Sequence, residues 1–198
     1  FKYSFRNEVQ LPHWDVSPMR PGVTGDIPCL RVLSVWLCSK SLVKAKELLK
    51  TCLLENVERF DRSWKSKKRY SMDWYYPVMC GVVKGKKAKE KIQSRWDEFV
   101  IDGMGCKCVV EEPWVTTAES SELVVALVVI GEVDKAKELF EWLHQWKDPK
   151  DNLYWTGYVY TDQKYWPVEK PTWTAAAVLI AADSLFRFTN GSKLFLND

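Results

Sequence analysis

Three acids stand where chemistry is conceivable: Asp73, Glu119 and Glu169, each close to tryptophans and near the start of an apolar stretch. Two carboxylates facing one another across a cavity can act as general acid and base on a glycosidic bond, with aromatic residues stacking the sugars. The same acids, lined by Trp and Tyr, can instead stabilise a cation or bind a polar head group. Two of the three also have a structural use. Asp73 follows a capping Ser71 and favours the positive end of a helix, and Glu119 completes a capping box with Thr116. Glu169, between Pro167 and Pro171, has no such role. Glu122, one turn beyond Glu119 on an otherwise apolar stretch, needs a partner if it is buried. Asp183, set among alanines, is expected to accept a hydrogen bond.

The compositional excess is aromatic, with eleven tryptophans, eight tyrosines and eight phenylalanines. Trp74, Trp114, Trp155, Tyr158, Trp166 and Trp173 fall at helix starts or within 154–173, and their clustering points to a substrate-binding recess at one rim. Trp96 and Trp142 lie on amphipathic segments and read as packing. Over 154–168 aromatics alternate before a polar turn, the pattern of a short strand or hairpin. A long aromatic loop of this kind is more often functional than filler.

Positioning these residues falls to four near-continuous apolar stretches, 27–37, 75–83, 123–130 and 175–182. The first three are each followed by a segment with one apolar stripe. A helix apolar all round is buried all round, whereas a striped helix lies on a surface. The striped segments share a pattern: Lys44-Ala45-Lys46-Glu47, Lys87-Ala88-Lys89-Glu90 and Lys135-Ala136-Lys137-Glu138. Repeats of about 40 to 50 residues with two helices each form helical-hairpin arrays. The expected fold is therefore all-α, an α/α toroid or partial barrel of about four hairpins, with an open solenoid as the alternative. Residues 1–198 are read as one domain with an irregular lead-in over 1–25, where prolines and glycines collect.

Composition narrows the classes further. With 29 basic and 26 acidic residues the net charge is +3, which gives no reason to expect a nucleic-acid partner. The basic runs 65–69 and 84–91 read as solvated faces. No apolar run reaches the roughly 20 residues of a membrane span. Six irregularly spaced cysteines read as free thiols rather than bridges, and two histidines do not build a Cys/His zinc site, so neither metal nor other cofactor is expected. Without a signal or transit segment the expected compartment is the cytoplasm. A start at Phe1 leaves open that the sequence is an excerpt of a longer protein.

The stretch carrying Ala136, Phe140, Gln145, Asp151 and Trp155 resembles the Gln-Trp repeat of terpenoid cyclases and protein prenyltransferase β-subunits. Asp73-Trp74-Tyr75-Tyr76-Pro77, Pro113-Trp114-Val115-Thr116, Tyr154-Trp155-Thr156-Gly157-Tyr158 and Trp166-Pro167-Val168-Glu169 are similar to segments of bacterial prenyltransferase-like proteins of that superfamily. The resemblance implies an α/α toroid and an isoprenoid or other hydrophobic substrate. Neither an Asp-x-Asp-Asp run nor an Asp, Cys and His zinc set accompanies it. The alternatives are a carbohydrate-active toroid using a carboxylate pair on a glycan ligand, and a noncatalytic binding or scaffold module. Whether the chain is an enzyme, and which proteins it meets, stay open at this level.

Overall fold

The computed structural model describes residues 67–195 together with positions 43, 44 and 47. These belong to one compact unit, Val43–Asp198, and a first unit, Phe1–Leu42, lies outside the described residues. The lead-in 1–25, the apolar stretch 27–37 and most of the first striped segment therefore lie outside them as well; Lys44 and Glu47 are helical.

In chain order the elements are α1 (Ser71–Met79), α2 (Gly85–Ser94), α3 (Trp96–Phe99), β1 (Val100–Ile101), β2 (Gly105–Lys107), β3 (Trp114–Thr116), α4 (Thr117–Val129), α5 (Val133–Leu143), β4 (Gly157–Val159), β5 (Lys164–Tyr165) and α6 (Thr172–Phe186). The strands form one antiparallel sheet in the order β1-β2-β3-β4-β5. Its register pairs Val100 with Cys106, Cys106 with Thr116, Thr116 with Gly157 and Tyr158 with Tyr165. The helical hairpin α4–α5 is thus inserted between two neighbouring strands, β3 and β4.

The sheet corrects the expectation of an all-α toroid: the protein is mixed α/β. Strands of two or three residues are too short to show the period-two alternation by which a strand is recognised, and their partners are set by pairs far apart in sequence. The stripe from Ala88 through Ile92, Trp96 and Phe99 to Val100 suggests one unbroken helix. It instead ends at Ser94, restarts for one turn, and gives Val100 up to the sheet with extended backbone. The short hairpin expected over 154–168 is present as β4 and β5, and it forms the edge of the larger sheet.

Helix α1 is shorter than its apolar run implies. Pro77 contributes no N–H, and the chain turns at Cys80 and Gly81, where φ is +67° and an L side chain is strained. The carbonyl of Pro77 then accepts from both Val82 and Val83 instead of continuing the ladder. Helix α5 keeps its stripe, burying Ala136, Leu139, Phe140 and Leu143. Ala88 and Ala136, the shared alanines of the repeated pattern, are both fully buried, where a small side chain allows neighbouring helices to approach closely.

The core centres on α4, packed against α1, α5, α6, β2 and β3. Leu123, Val124, Ala126 and Leu127 have no exposed surface. Burying each leucine contributes about 1.5–3 kcal/mol relative to leaving it in water. The polar residues of α4's first turns are satisfied locally: Ser120 and Ser121 hydroxyls donate to the carbonyls of Thr116 and Thr117 at 2.6 and 2.7 Å. Ser120 Oγ also accepts the Cys106 amide at 2.7 Å, fastening the helix to β2.

Candidate active site

The acids that α4 carries meet α1 and β2 in a polar cluster inside this otherwise apolar interface. Glu122 accepts hydrogen bonds from the Tyr75 hydroxyl at 2.5 Å and the Tyr76 hydroxyl at 3.2 Å. Burial pushes the Glu122 carboxyl above the usual carboxylate range, and the Glu119 charge adds to this, while the two phenols oppose it. Burial first and the Glu122 charge second push the hydroxyls of Tyr75 and Tyr76 upward in turn, so both remain donors. Tyr75 is fully enclosed, whereas Tyr76 is 37% exposed, and Cys80 beside it is exposed too. Glu122 therefore sits at the mouth of the cluster and Glu119 behind it.

Glu119 does not complete a capping box. Thr116 occupies the N-cap position with extended backbone but makes no side-chain cap bond; its hydroxyl is 3.5 Å from the Cys106 carbonyl. Burial and, after it, the Glu119 charge drive the Cys108 thiol upward. One Glu119 oxygen is buried without a hydrogen-bond partner. Cys106 is likewise pushed upward, chiefly by burial. Cys80, Cys106 and Cys108 are free thiols.

Asp73 lies elsewhere. Two residues along a helix rotate a side chain by about 200°, so Asp73 points away from the face on which Tyr75 meets Glu122. The neighbouring charge it acts on is Lys91 of α2, whose ammonium it helps to retain against burial. Ser71 is the first helical residue rather than the cap, its hydroxyl 3.4 Å from the Cys108 carbonyl. Glu169 is exposed in the loop after β5, and its backbone carbonyl accepts from the amide and hydroxyl of Thr156 at 3.1 and 3.2 Å. Thr156 in turn accepts from the Thr117 amide at 3.0 Å, and the Thr117 hydroxyl donates to Trp155 at 2.7 Å. These bonds bring the Glu169 loop against the start of α4, two residues before Glu119.

The six aromatic candidates separate by environment. Trp74 is in the core, stacked on Phe99 at 5.3 Å, its indole donating to the Lys91 carbonyl at 2.7 Å. Tyr158 stacks on Trp146 at 4.7 Å. The Trp155 ring carries Tyr165 at 4.9 Å and the Lys170 ammonium at 4.6 Å. Asp148 and Asp151 hold that ammonium in place, which keeps both carboxylates below their usual range and Lys170 above its own. Trp166 and Trp173 are 48% and 53% exposed. Trp114 meets Trp166 edge to face at 5.0 Å.

Glu122 was legible as an acid on an apolar helix that must find a partner, yet nothing in the sequence marked Tyr75, 47 positions away, as that partner. Among the described residues no group of three or more His, Cys, Asp and Glu is placed to hold a metal ion. No described helix is long and apolar enough to cross a membrane.

No family model matches the chain. Among curated proteins it is similar to a carbohydrate-active enzyme. This is the MMP endo-(1,4)-3-O-methyl-alpha-D-mannosidase of Mycolicibacterium hassiacum, 48% identical over 139 residues that make up 70% of this chain and 38% of that protein. The chain thus spans well under half the length of the relative it matches. The likeness and the five-stranded sheet together overturn the resemblance to terpenoid cyclases and prenyltransferase-like proteins, and with it the isoprenoid reading. The short aromatic motifs that suggested that superfamily are accounted for instead by strand pairing and core packing, as at Trp74 and Tyr158.

Proposed function

We propose that this chain forms part of a glycoside hydrolase that cleaves α-(1,4)-linked, 3-O-methylated mannose chains internally. The observation that carries the reading is the 48% identity to a mannosidase of that specificity. The chemistry of the α1–α4 cluster agrees with it. In such a cleavage one carboxyl gives its proton to the departing glycosidic oxygen while a second group assists the attack on the anomeric carbon. Glu122 is the proton donor in this reading, since burial and the Glu119 charge make it hold a proton more tightly than an ordinary carboxyl. Glu119, behind it, is a positioning residue. Glu169, exposed on the loop tied to the start of α4, is the second carboxylate. Asp73, on the opposite face of α1, lies outside this pair. The bond broken is the anomeric carbon to oxygen bond; water supplies the hydroxyl and proton that complete the two products.

The test is incubation of the purified protein with an α-(1,4)-linked 3-O-methylmannose oligosaccharide and separation of the products. Shorter oligosaccharides are expected, with Glu122→Gln slowing their appearance by about 10²–10⁴-fold. An intact substrate that the protein nevertheless binds turns the reading into one of a noncatalytic glycan-binding module. Neither binding nor cleavage removes it.

A further inference from the structure

Of the aromatic residues collected near β3, β4 and the following loop, Trp166 combines an open ring with a fixed backbone. Its amide donates to the Gly157 carbonyl at 3.0 Å, and its own carbonyl accepts the Trp114 indole N–H at 2.7 Å. The Trp114 ring then meets the Trp166 ring at 5.0 Å and 74°, supporting it edge to face. This arrangement needs a glycine at 157. A Cβ there would run into the Trp114 indole nitrogen and lie 2.6 Å from the Val115 carbonyl. Three residues after Trp166 the loop is pinned again, through Glu169 to Thr156. Val168 between them is 78% exposed.

We propose that Trp166, held out by Trp114, is a stacking platform for one pyranose ring of the glycan substrate, with Val168 beside it offering apolar surface to an O-methyl group. The proposal rests on the glycan reading above. A pyranose presents C–H groups on its faces, and an indole offers a large flat surface for them. A ring braced edge to face by Trp114, on a backbone fixed by two hydrogen bonds, loses little conformational freedom on binding. Trp155 carries Tyr165 and Lys170, Tyr158 stacks on Trp146, and Trp74 is buried, while Trp173, 53% exposed, has among the described residues no aromatic partner of the kind Trp114 gives Trp166.

The experiment is calorimetric titration of an α-(1,4)-linked 3-O-methylmannose oligosaccharide, and of its unmethylated counterpart, into Glu122→Gln protein, which allows binding to be read without turnover. Adding Trp166→Ala is expected to weaken binding about tenfold or more, and Trp166→Phe by about threefold or less. Val168→Ser is expected to narrow the preference for the methylated chain. Phe188→Ser removes a still more exposed aromatic elsewhere and is expected to leave binding unchanged; thermal unfolding verifies that each variant is folded. If Trp166→Ala does not fold, Trp166→Phe and Trp114→Phe carry the test, the latter removing the N–H that holds the Trp166 carbonyl and weakening binding severalfold. Binding that survives Trp166→Ala, or falls equally with Phe188→Ser, overturns the platform while leaving the glycan reading intact. No binding by the Glu122→Gln parent or the wild-type protein overturns both.

Discussion

Helices α4 and α6 read alike in sequence, each carrying an unbroken apolar stretch (123–130 and 175–182), and the structure treats them differently. Nine of the thirteen residues of α4 are buried, against four of the fifteen of α6. The difference lies in their neighbours. Among the described residues α4 is enclosed by α1, α5, α6 and the strands, whereas α6 packs on α4, α5 and the short turn Asn190–Lys193. Trp173, Leu179 and Ile180 of α6 are left exposed, and Leu179, Ile180, Phe188 and Leu194 line an apolar recess of about 400 Å³. All-round apolarity describes what a helix can bury, and packing determines what it does bury.

The largest effect that tests this contrast is Leu127→Ala on α4, expected to cost about 2–5 kcal/mol in denaturant unfolding because it leaves a cavity in a closed interface. A cost below about 1 kcal/mol would dissolve the distinction. Next comes Glu122, the polar exception on the same helix. Its carboxyl is raised in the folded protein, so its contribution favours folding at low pH. That contribution is lost as pH rises from the ordinary value of 4.5 through the raised one. Glu122→Gln is expected to flatten that decline in stability curves measured across the range, and an unchanged slope would place the titrating group elsewhere.

Helix α6 offers the smaller effects. Asp183 accepts the Thr189 amide and hydroxyl, both at 2.7 Å, closing the turn after the helix. Asp183→Ala is expected to lower stability by about 1 kcal/mol in the same assay. Leu179→Lys, at a site 70% exposed, is expected to stay within about 0.5 kcal/mol of the parent. A loss of several kcal/mol there would show that the outer face of α6 is covered in solution.

The helical segments were legible because burial imposes its period on many residues at once: the stripe of α5 and the apolar run of α4 are written in the chain. The sheet was not. Val100, Cys106, Thr116 and Gly157 are paired across gaps of up to 41 positions, the last of them bridging the inserted helical hairpin, and no local pattern records such a choice. The site divides in the same way. Glu119 and Glu169 were visible as acids near the start of a helix, but their surroundings were not, since Cys108 and Thr156 meet them only after strands pair. Gly157 illustrates the limit. As a letter it suggests a turn, whereas in the structure it makes room for an indole.

Thr117 binds Trp155 and Thr156, and Thr156 binds Glu169, so the helix bearing Glu122 and the loop bearing Trp166 are tied into one backbone frame. For a glycan gripped as proposed, that frame works as a ruler. The number of sugar units between the gripped ring and the broken bond is set by the fold, and the length of the released fragment reads it out.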